Sequence, residues 1–200
     1  MLFRSLAQKS GQGDLVEATS ILSRLVEDIR DSALQLRMVQ IGETFTRFNR
    51  VVRDVSRDLG KEINLQISGA DTELDKSVVE KIGDPLMHLV RNALDHGIEP
   101  AAVRVAHGKP AAGNLSLNAF HDSGSIVIQI SDDGGGLNKE KIHNKALERG
   151  LIQPGQGLTD AEIVNLIFEP GFSTVEKVSN LSGRGVGMDV VRRNIQALRG

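Results

Sequence analysis

The 200-residue sequence has no cysteine, no tryptophan and no tyrosine. The missing thiols exclude disulfides and thiolate metal sites, and fit a reducing compartment, taken here as the cytoplasm. With only six Phe as aromatics, the core is expected to be largely aliphatic. No apolar run approaches the ~20 residues of a membrane span, and Met1-Leu2-Phe3-Arg4 opens no secretory segment. A net charge of −2 and a pI near 6.2 argue against bulk binding to nucleic acid or to a membrane surface. Two phosphate motifs are also lacking. There is no G-x-x-x-x-G-K-[ST], and Gly183-x-Gly185-x-Gly187 is not the G-x-G-x-x-G of dinucleotide folds, which the missing βαβ repeats also disfavour.

What is present is well patterned. Length fits one domain with an appendage. Hydrophobic residues at 40% and charged residues at 25% place the chain among soluble globular proteins. Glycine is enriched, at 21 residues, and much of the excess falls in Gly134-Gly135-Gly136 and Gly183-Arg184-Gly185-Val186-Gly187. Such clustering reads as site-building rather than disorder.

From Asp14, Leu15, Leu22, Ile29 and Leu36 recur every seven residues, and Ala18, Leu25, Ser32 and Val39 fill the second heptad position. This spacing predicts one long helix whose seam is covered either in a helical hairpin or dimer, or by its own domain. Residues 1–13 read as a frayed end or turn. After a break at Gly42, Phe45, Phe48, Val51, Val52 and Val55 predict a helix capped by Gly60. Ile63, Leu65 and Ile67 alternate as a strand. Asp75 is expected to cap a short helix over 76–82. Asp84-Pro85 is expected to open a second one, with Pro at its first position.

That second helix carries His88, Arg91, Asn92 and Asp95 on one stretch of surface, because residues three and four apart are neighbours. Gly97 ends it. Leu115, Leu117 and Ala119 alternate. A turn over 121–125 follows, and Ile126, Ile128 and Ile130 run back as a hairpin partner. Further helices are predicted over 139–148, over 161–168 behind a Thr159/Glu162 capping box, and from about Val186 to Leu198.

These residues allow several chemistries. Gly183, Gly185 and Gly187 before a helix form either an anion cradle of backbone amides or a plain loop-to-helix turn. Asp132, at a strand end beside the first glycine run, either accepts a hydrogen bond from an exocyclic amine such as adenine's or holds its own turn. Asn92 offers a neutral oxygen suited to Mg²⁺. His88, one turn away, is either a proton acceptor or a packed side chain. Lys141 and Lys145, four apart, either reach phosphate charge or form a solvated face. His107, His121 and His143 are given no role.

Four stretches together resemble the ATP-binding kinase domain of the CheA family of chemotaxis histidine kinases. His88-Leu89-Val90-Arg91-Asn92-Ala93-Leu94-Asp95-His96-Gly97-Ile98-Glu99 is similar to its N box, with His88 where ordinary sensor kinases usually carry Glu. Ser131-Asp132-Asp133-Gly134-Gly135-Gly136-Leu137 is similar to its first glycine box, and Ile167 to Thr174 to its F box. Ser182 to Val191 is similar to its second glycine box.

The resemblance implies an α+β fold, a two-layer sandwich shared with gyrase, heat-shock chaperone ATPases and MutL. Its mixed sheet is covered by helices on one face, and a long dimerisation helix precedes it. Residues 1–42 would be a partial dimerisation segment and 43–200 the catalytic domain. The domain is expected to be incomplete at its C-terminal end, before a last glycine box and closing strands. ATP and Mg²⁺ are the implied cofactors. Asp132 would bind the adenine amine, Asn92 would hold Mg²⁺, and His88 would act as base or magnesium-site organiser. Arg91, His96, Lys141 and Lys145 would approach the phosphates, with Asp95 and Ser173 completing the nucleotide site. Gly134, Gly136, Gly183, Gly185 and Gly187 would shape lid and cradle, and 153–182 would be a mobile lid. Implied partners are a phosphoacceptor-histidine domain and a second copy through the N-terminal helix. Chemoreceptors, a coupling protein and response regulators would be engaged through domains outside these 200 residues. An ATPase of the same fold and a non-catalytic dimerisation or scaffold fragment are the rival readings.

Overall fold

The computed structural model describes residues 13–172 and 187–200. In chain order the elements are α1 (Gly13–Gln35), β1 (Met38–Gln40), α2 (Gly42–Leu59), β2 (Ile63–Ser68), β3 (Glu73–Asp75) and α3 (Lys76–Asn92). A π turn (Ala93–Gly97) follows, then α4 (Ala101–Ala106), β4 (Gly113–Asp122), β5 (Ser125–Asp132) and α5 (Lys139–Glu148). The last are α6 (Asp160–Asn165), a 3-10 turn (Leu166–Phe168) and α7 (Met188–Ala197).

The main sheet has the order β2-β4-β5, with β2 parallel to β4 and β4 antiparallel to β5. Its period-two pattern sorts the side chains. Leu115, Leu117 and Ala119 are buried, and Ile63, Leu65, Ile67, Ile128 and Ile130 pack against the same core. The other face is polar: Asn64, Gln66, Ser68, Gln129 and Ser131 are exposed. Helices α2 and α3 supply Phe45, Phe48, Val52, Ile82, Leu86 and Val90 to the apolar side. This is the mixed sheet with a one-sided helical layer that the sequence leads one to expect. The predicted turn over 121–125 tightens to Ser123-Gly124, both at positive φ, so His121, Asp122 and Ser125 are strand residues.

The structure corrects two helix expectations. The heptad pattern runs to Val39, but the helix ends at Gln35 and Met38–Gln40 is a strand paired antiparallel with Glu73–Asp75. Tertiary pairing overrides periodicity here. Val39 sits opposite buried Leu74, Ile41 is fully buried, and Arg37 pairs with Asp75 at 3.1 Å. This ladder crosses the expected division at residue 42, pairing Met38–Gln40 on one side with Glu73–Asp75 on the other, and Gly42 opens α2 rather than ending a helix. Leu15, Leu22, Leu25, Val26 and Ile29 on α1 are exposed, so the described residues leave its seam uncovered.

The second correction concerns Asp84-Pro85, which opens no helix. One helix runs from Lys76 to Asn92 with Pro85 inside it, and Asp75 caps it through a 2.8 Å bond from the Ser77 amide. Proline in a helix interior forfeits a hydrogen bond. The buried stripe Ile82, Pro85, Leu86 and Val90 keeps its helical phase across the proline, so core packing carries the helix through. Gly60 caps α2 in the left-handed region, as predicted. Thr159 and Glu162 form the predicted capping box.

A second, smaller cluster joins α5 to the segment after it. Ile142, Ala146, Ile152 and Phe172 are buried there, with Leu158, Ile163, Leu166 and Ile167 against them. The described part of the expected lid, 153–172, therefore holds the predicted helix behind Thr159 together with packed side chains.

Candidate functional site

Helix α3 places His88, Arg91 and Asn92 on one half-buried stretch. Beyond Asn92 the helix widens to a π turn, closed by the Ile98 amide on the Ala93 carbonyl at 2.8 Å. Asp95 and His96 thus leave the α-helical phase that straight i, i+4 spacing assigns them. Such single π turns recur at functional sites. Lys61, outside the sequence-based candidates, donates to the carbonyls of Leu94 at 2.6 Å and Asp95 at 3.3 Å.

The π turn delivers Gly97 onto the first glycine run. The Gly135 amide donates to the Gly97 carbonyl at 2.9 Å, and the Gly134 amide donates to Asp132 Oδ1 at 3.0 Å. A Cβ on Gly134 would lie 2.0 Å from the Gly97 oxygen, and one on Gly97 would lie 3.0 Å from Asp132 Oδ1. Two backbones touch here because neither residue has a side chain. Asp132 is exposed at the end of β5, with Oδ1 committed to the turn and Oδ2 outside that bond. Gly136 leaves the turn at φ 71°.

The N-terminus of α7 meets the same helix. Asn92 Nδ2 donates to Met188 Sδ at 3.2 Å, and Gly187 caps α7. The amide oxygen of Asn92 remains as a hard donor of the kind Mg²⁺ prefers. No group of three or more His, Asp or Glu side chains converges among the described residues. A cation here would therefore take Asn92 together with phosphate and water oxygens. Burial, then the Arg91 charge, holds the His88 imidazole below its ordinary pKa, so it is neutral at pH 7.

The segment that carries His88, Arg91, Asn92, Asp95 and His96 thus meets the Asp132–Gly136 turn through Gly97 and the start of α7, beside Gly187, through Asn92. Lys141, exposed, and Lys145, half-buried, lie on α5, which packs into the smaller cluster. Ser173, Gly183 and Gly185 lie outside the described residues.

Behind the glycine run is a charged network that periodicity does not signal. Arg104 is fully buried. It donates to the carbonyls of Pro110, Ala112 and Asp133, to Glu99 Oε2 at 3.2 Å and to Asp133 Oδ2 at 3.0 Å. Asn114 donates to Asp133 from its backbone at 2.9 Å and from its side chain at 2.8 Å. One signal was available: consecutive residues at a strand end point to opposite sides. If Asp132 faces a ligand, Asp133 faces the interior.

Burial alone would raise the Asp133 pKa, but the bonds from Asn114 and Arg104 outweigh it and hold the carboxyl low. The Lys109 ammonium does the same for Glu99. Both groups have folded pKa values below their unfolded ones, so the stability they lend is complete above about pH 4.3 and is lost as pH falls through the depressed values. Thermal melts followed by circular dichroism are expected to show the midpoint dropping below about pH 4. Asp133→Asn is expected to melt lower at pH 7 and to decline less steeply in acid.

A family model described as histidine kinase-, DNA gyrase B- and HSP90-like ATPase matches residues 81–200. The chain belongs to this ATPase family. The matched span contains the N box, both glycine runs and the sheet hairpin, and the α+β fold with its mixed sheet is that of the family.

The resemblance to the chemotaxis kinases is borne out as well. The chain is 53% identical over 179 residues to the chemotaxis protein CheA of Treponema pallidum, covering 90% of this chain and 22% of that protein. It is 50% identical over 201 residues to CheA of Klebsiella aerogenes, covering 98% and 31%. To CheA of Bacillus subtilis it is 44% identical over 197 residues, covering 98% and 29%. The chain spans about a third or less of the length of these relatives. No helix among the described residues is long and apolar enough to cross a membrane.

Proposed function

We propose that this ATPase-family chain is the kinase core of a CheA-like histidine kinase, binding Mg-ATP and transferring the γ-phosphoryl group to a histidine on a separate phosphotransfer domain. The observation that carries the reading is that one segment, 88–97, meets the Asp132–Gly134 turn through Gly97 and the start of α7 through Asn92. One acceptor oxygen, a backbone cradle and one hard oxygen ligand come together in a protein similar to CheA along nearly its whole length. Asp132 Oδ2 accepts the adenine amine. Asn92 holds Mg²⁺, which when bound offsets phosphate charge. Arg91, His96, Lys141, Lys145, Ser173 and the glycines of the second box surround the phosphates. His88, neutral and half-buried, orients the site or takes a proton.

In the transfer, an imidazole nitrogen of the acceptor histidine attacks the γ-phosphorus, the bond to the β-phosphate oxygen breaks, and ADP leaves. The enzyme's part is positioning and charge neutralisation. The uncovered seam of α1 supports pairing with a second copy. The division into a dimerisation segment over 1–42 and a catalytic domain over 43–200, a cytoplasmic setting, and engagement of receptors, coupling protein and response regulators belong to the same reading.

Incubation with γ-labelled ATP and an isolated phosphoacceptor-histidine domain tests it. A labelled histidine supports the kinase. Free phosphate alone points to an ATPase of the same fold, and neither product points to a scaffold. Binding is checked by calorimetry. In Asp132→Asn the amide oxygen must accept from the Gly134 amide, which turns an NH₂ donor toward the adenine amine. Loss of a charge-assisted bond and this donor–donor clash are expected to weaken ATP by about 10- to 100-fold. Asn92→Asp is expected to change the magnesium dependence of binding and to leave nucleotide affinity without metal less affected. Equal ATP affinity in all three proteins would sink the assignment.

A further inference from the structure

The proposed site recognises its base through a single carboxylate on a glycine turn, and glycines do not hold a turn in place by themselves. What lies behind the turn is Lys109. Its ammonium donates to Glu99 Oε1 at 2.9 Å, to the Asp133 carbonyl at 3.0 Å and to the Gly134 carbonyl at 2.9 Å. All three of its donors are used.

The geometry of the peptide unit makes this grip consequential. In a planar trans peptide the N–H points opposite to the C=O. The Asp133 carbonyl shares its peptide with the Gly134 amide, and the Gly134 carbonyl shares its peptide with the Gly135 amide. Holding both carbonyls from behind therefore turns both amides forward. Those are the two amides that donate to Asp132 Oδ1 and to the Gly97 carbonyl. Arg104 adds a weaker hold on the same Asp133 carbonyl at 3.3 Å, and Glu99 bridges the two cations at 2.9 and 3.2 Å. The Lys109 side chain is one-third exposed, whereas that of Arg104 is buried, so Lys109 can be altered without opening the interior.

Resting on the nucleotide reading above, we propose that Lys109, oriented by Glu99, is a positioning residue for base selection. By gripping the Asp133 and Gly134 carbonyls, it sets the turn that presents Asp132 to an amino group on the purine. Lys109 itself touches no ligand. Its effect is therefore confined to ligands that use Asp132.

The test compares binding of Mg-ATP and of the magnesium complex of purine riboside triphosphate, which lacks the 6-amino group, by calorimetry on the full chain. The unaltered protein is expected to prefer ATP by about tenfold or more. In Lys109→Met, ATP affinity is expected to fall about tenfold, with the deaminated nucleotide within about twofold of its original value, so that the preference collapses. Glu99→Gln is expected to move the preference in the same direction by less. It carries the test alone if Lys109→Met does not fold. In an Asp132→Asn background, Lys109→Met is expected to add no further loss of preference.

A merely structural lysine gives the opposite pattern. Both nucleotides weaken in proportion, the preference survives, and the loss persists without Asp132. Either result overturns the proposal. If the unaltered chain binds both nucleotides equally, base recognition by Asp132 fails and this inference fails with it. That outcome is seen before any variant is made.

Discussion

Gly134→Ala is expected to weaken Mg-ATP binding by about 100-fold or more and to lower the melting temperature by several degrees. The new methyl group would sit 2.0 Å from the Gly97 oxygen, 2.3 Å from its carbon and 2.7 Å from Asp132 Oδ1. The two closest neighbours are backbone atoms of Gly97, so the glycine turn and the π turn must part. Overpacking of this kind costs about 1–3 kcal/mol in stability. The larger loss falls on binding, because the 2.9 Å bond from Gly135 to Gly97 and the set of the Asp132 carboxylate go together.

Gly136→Ala is the control. Its Cβ meets nothing within 4 Å, but its φ is 71°, so it carries only a left-handed backbone cost of about 1–2 kcal/mol. Calorimetry and thermal melts on the two variants separate crowding from backbone strain. If the two bind ATP equally well, the contact between the turns has no part in holding the site.

Phe45→Ala is expected to give the largest loss of stability, about 3–5 kcal/mol. Phe45 is fully buried, with its ring 6.3 Å from that of Phe48 at 37°. Tryptophan and tyrosine are absent, and among the described residues this pair supplies the large rings of the main core. Against a total stability of about 5–15 kcal/mol for a domain, a change of this size can leave a sizeable unfolded fraction at 37 °C. Urea unfolding followed by far-ultraviolet circular dichroism reads it, since the chain has no strong fluorophore. A shift below about 1 kcal/mol would show that the helix layer rests elsewhere.

Features with a local cause were legible in the sequence. The hairpin, the Gly60 cap, the Asp75 cap, the Thr159 capping box and helix α5 each follow from a few adjacent residues. The site was legible through its exceptions: glycines and polar residues interrupting apolar periods at Asn92, Asp132 and Gly187. Features with a distant cause were not. Val39 carries the seam's spacing but is claimed by Leu74. Pro85 carries a helix-start signature but is overridden by the buried stripe on either side. The π turn is held by Lys61, which reaches the Leu94 carbonyl from another part of the chain. Arg104 and Lys109 carry no periodic signal at all, because their partners are mostly backbone carbonyls that folding brings to them.

The pairing of β2 with β4 has a consequence for how the chain reaches this structure. The two strands lie side by side in parallel, with Ile63 opposite Gly113 and Ser68 opposite Asn118, partners fifty residues apart. Between them in sequence stand β3, α3, the π turn and α4, so a long loop must close before the first of these ladder bonds forms. The β4–β5 hairpin, closed by two residues, faces no such delay. Loop-closure entropy of this kind slows non-local pairing, so the hairpin assembles early and β2 docks on it late. The residues of the candidate site straddle that gap: Asn92 and Gly97 lie inside the loop, and Asp132 on the hairpin. The contact between Gly97 and the glycine turn is itself non-local, so the two halves of the candidate site are expected to meet after the hairpin has formed.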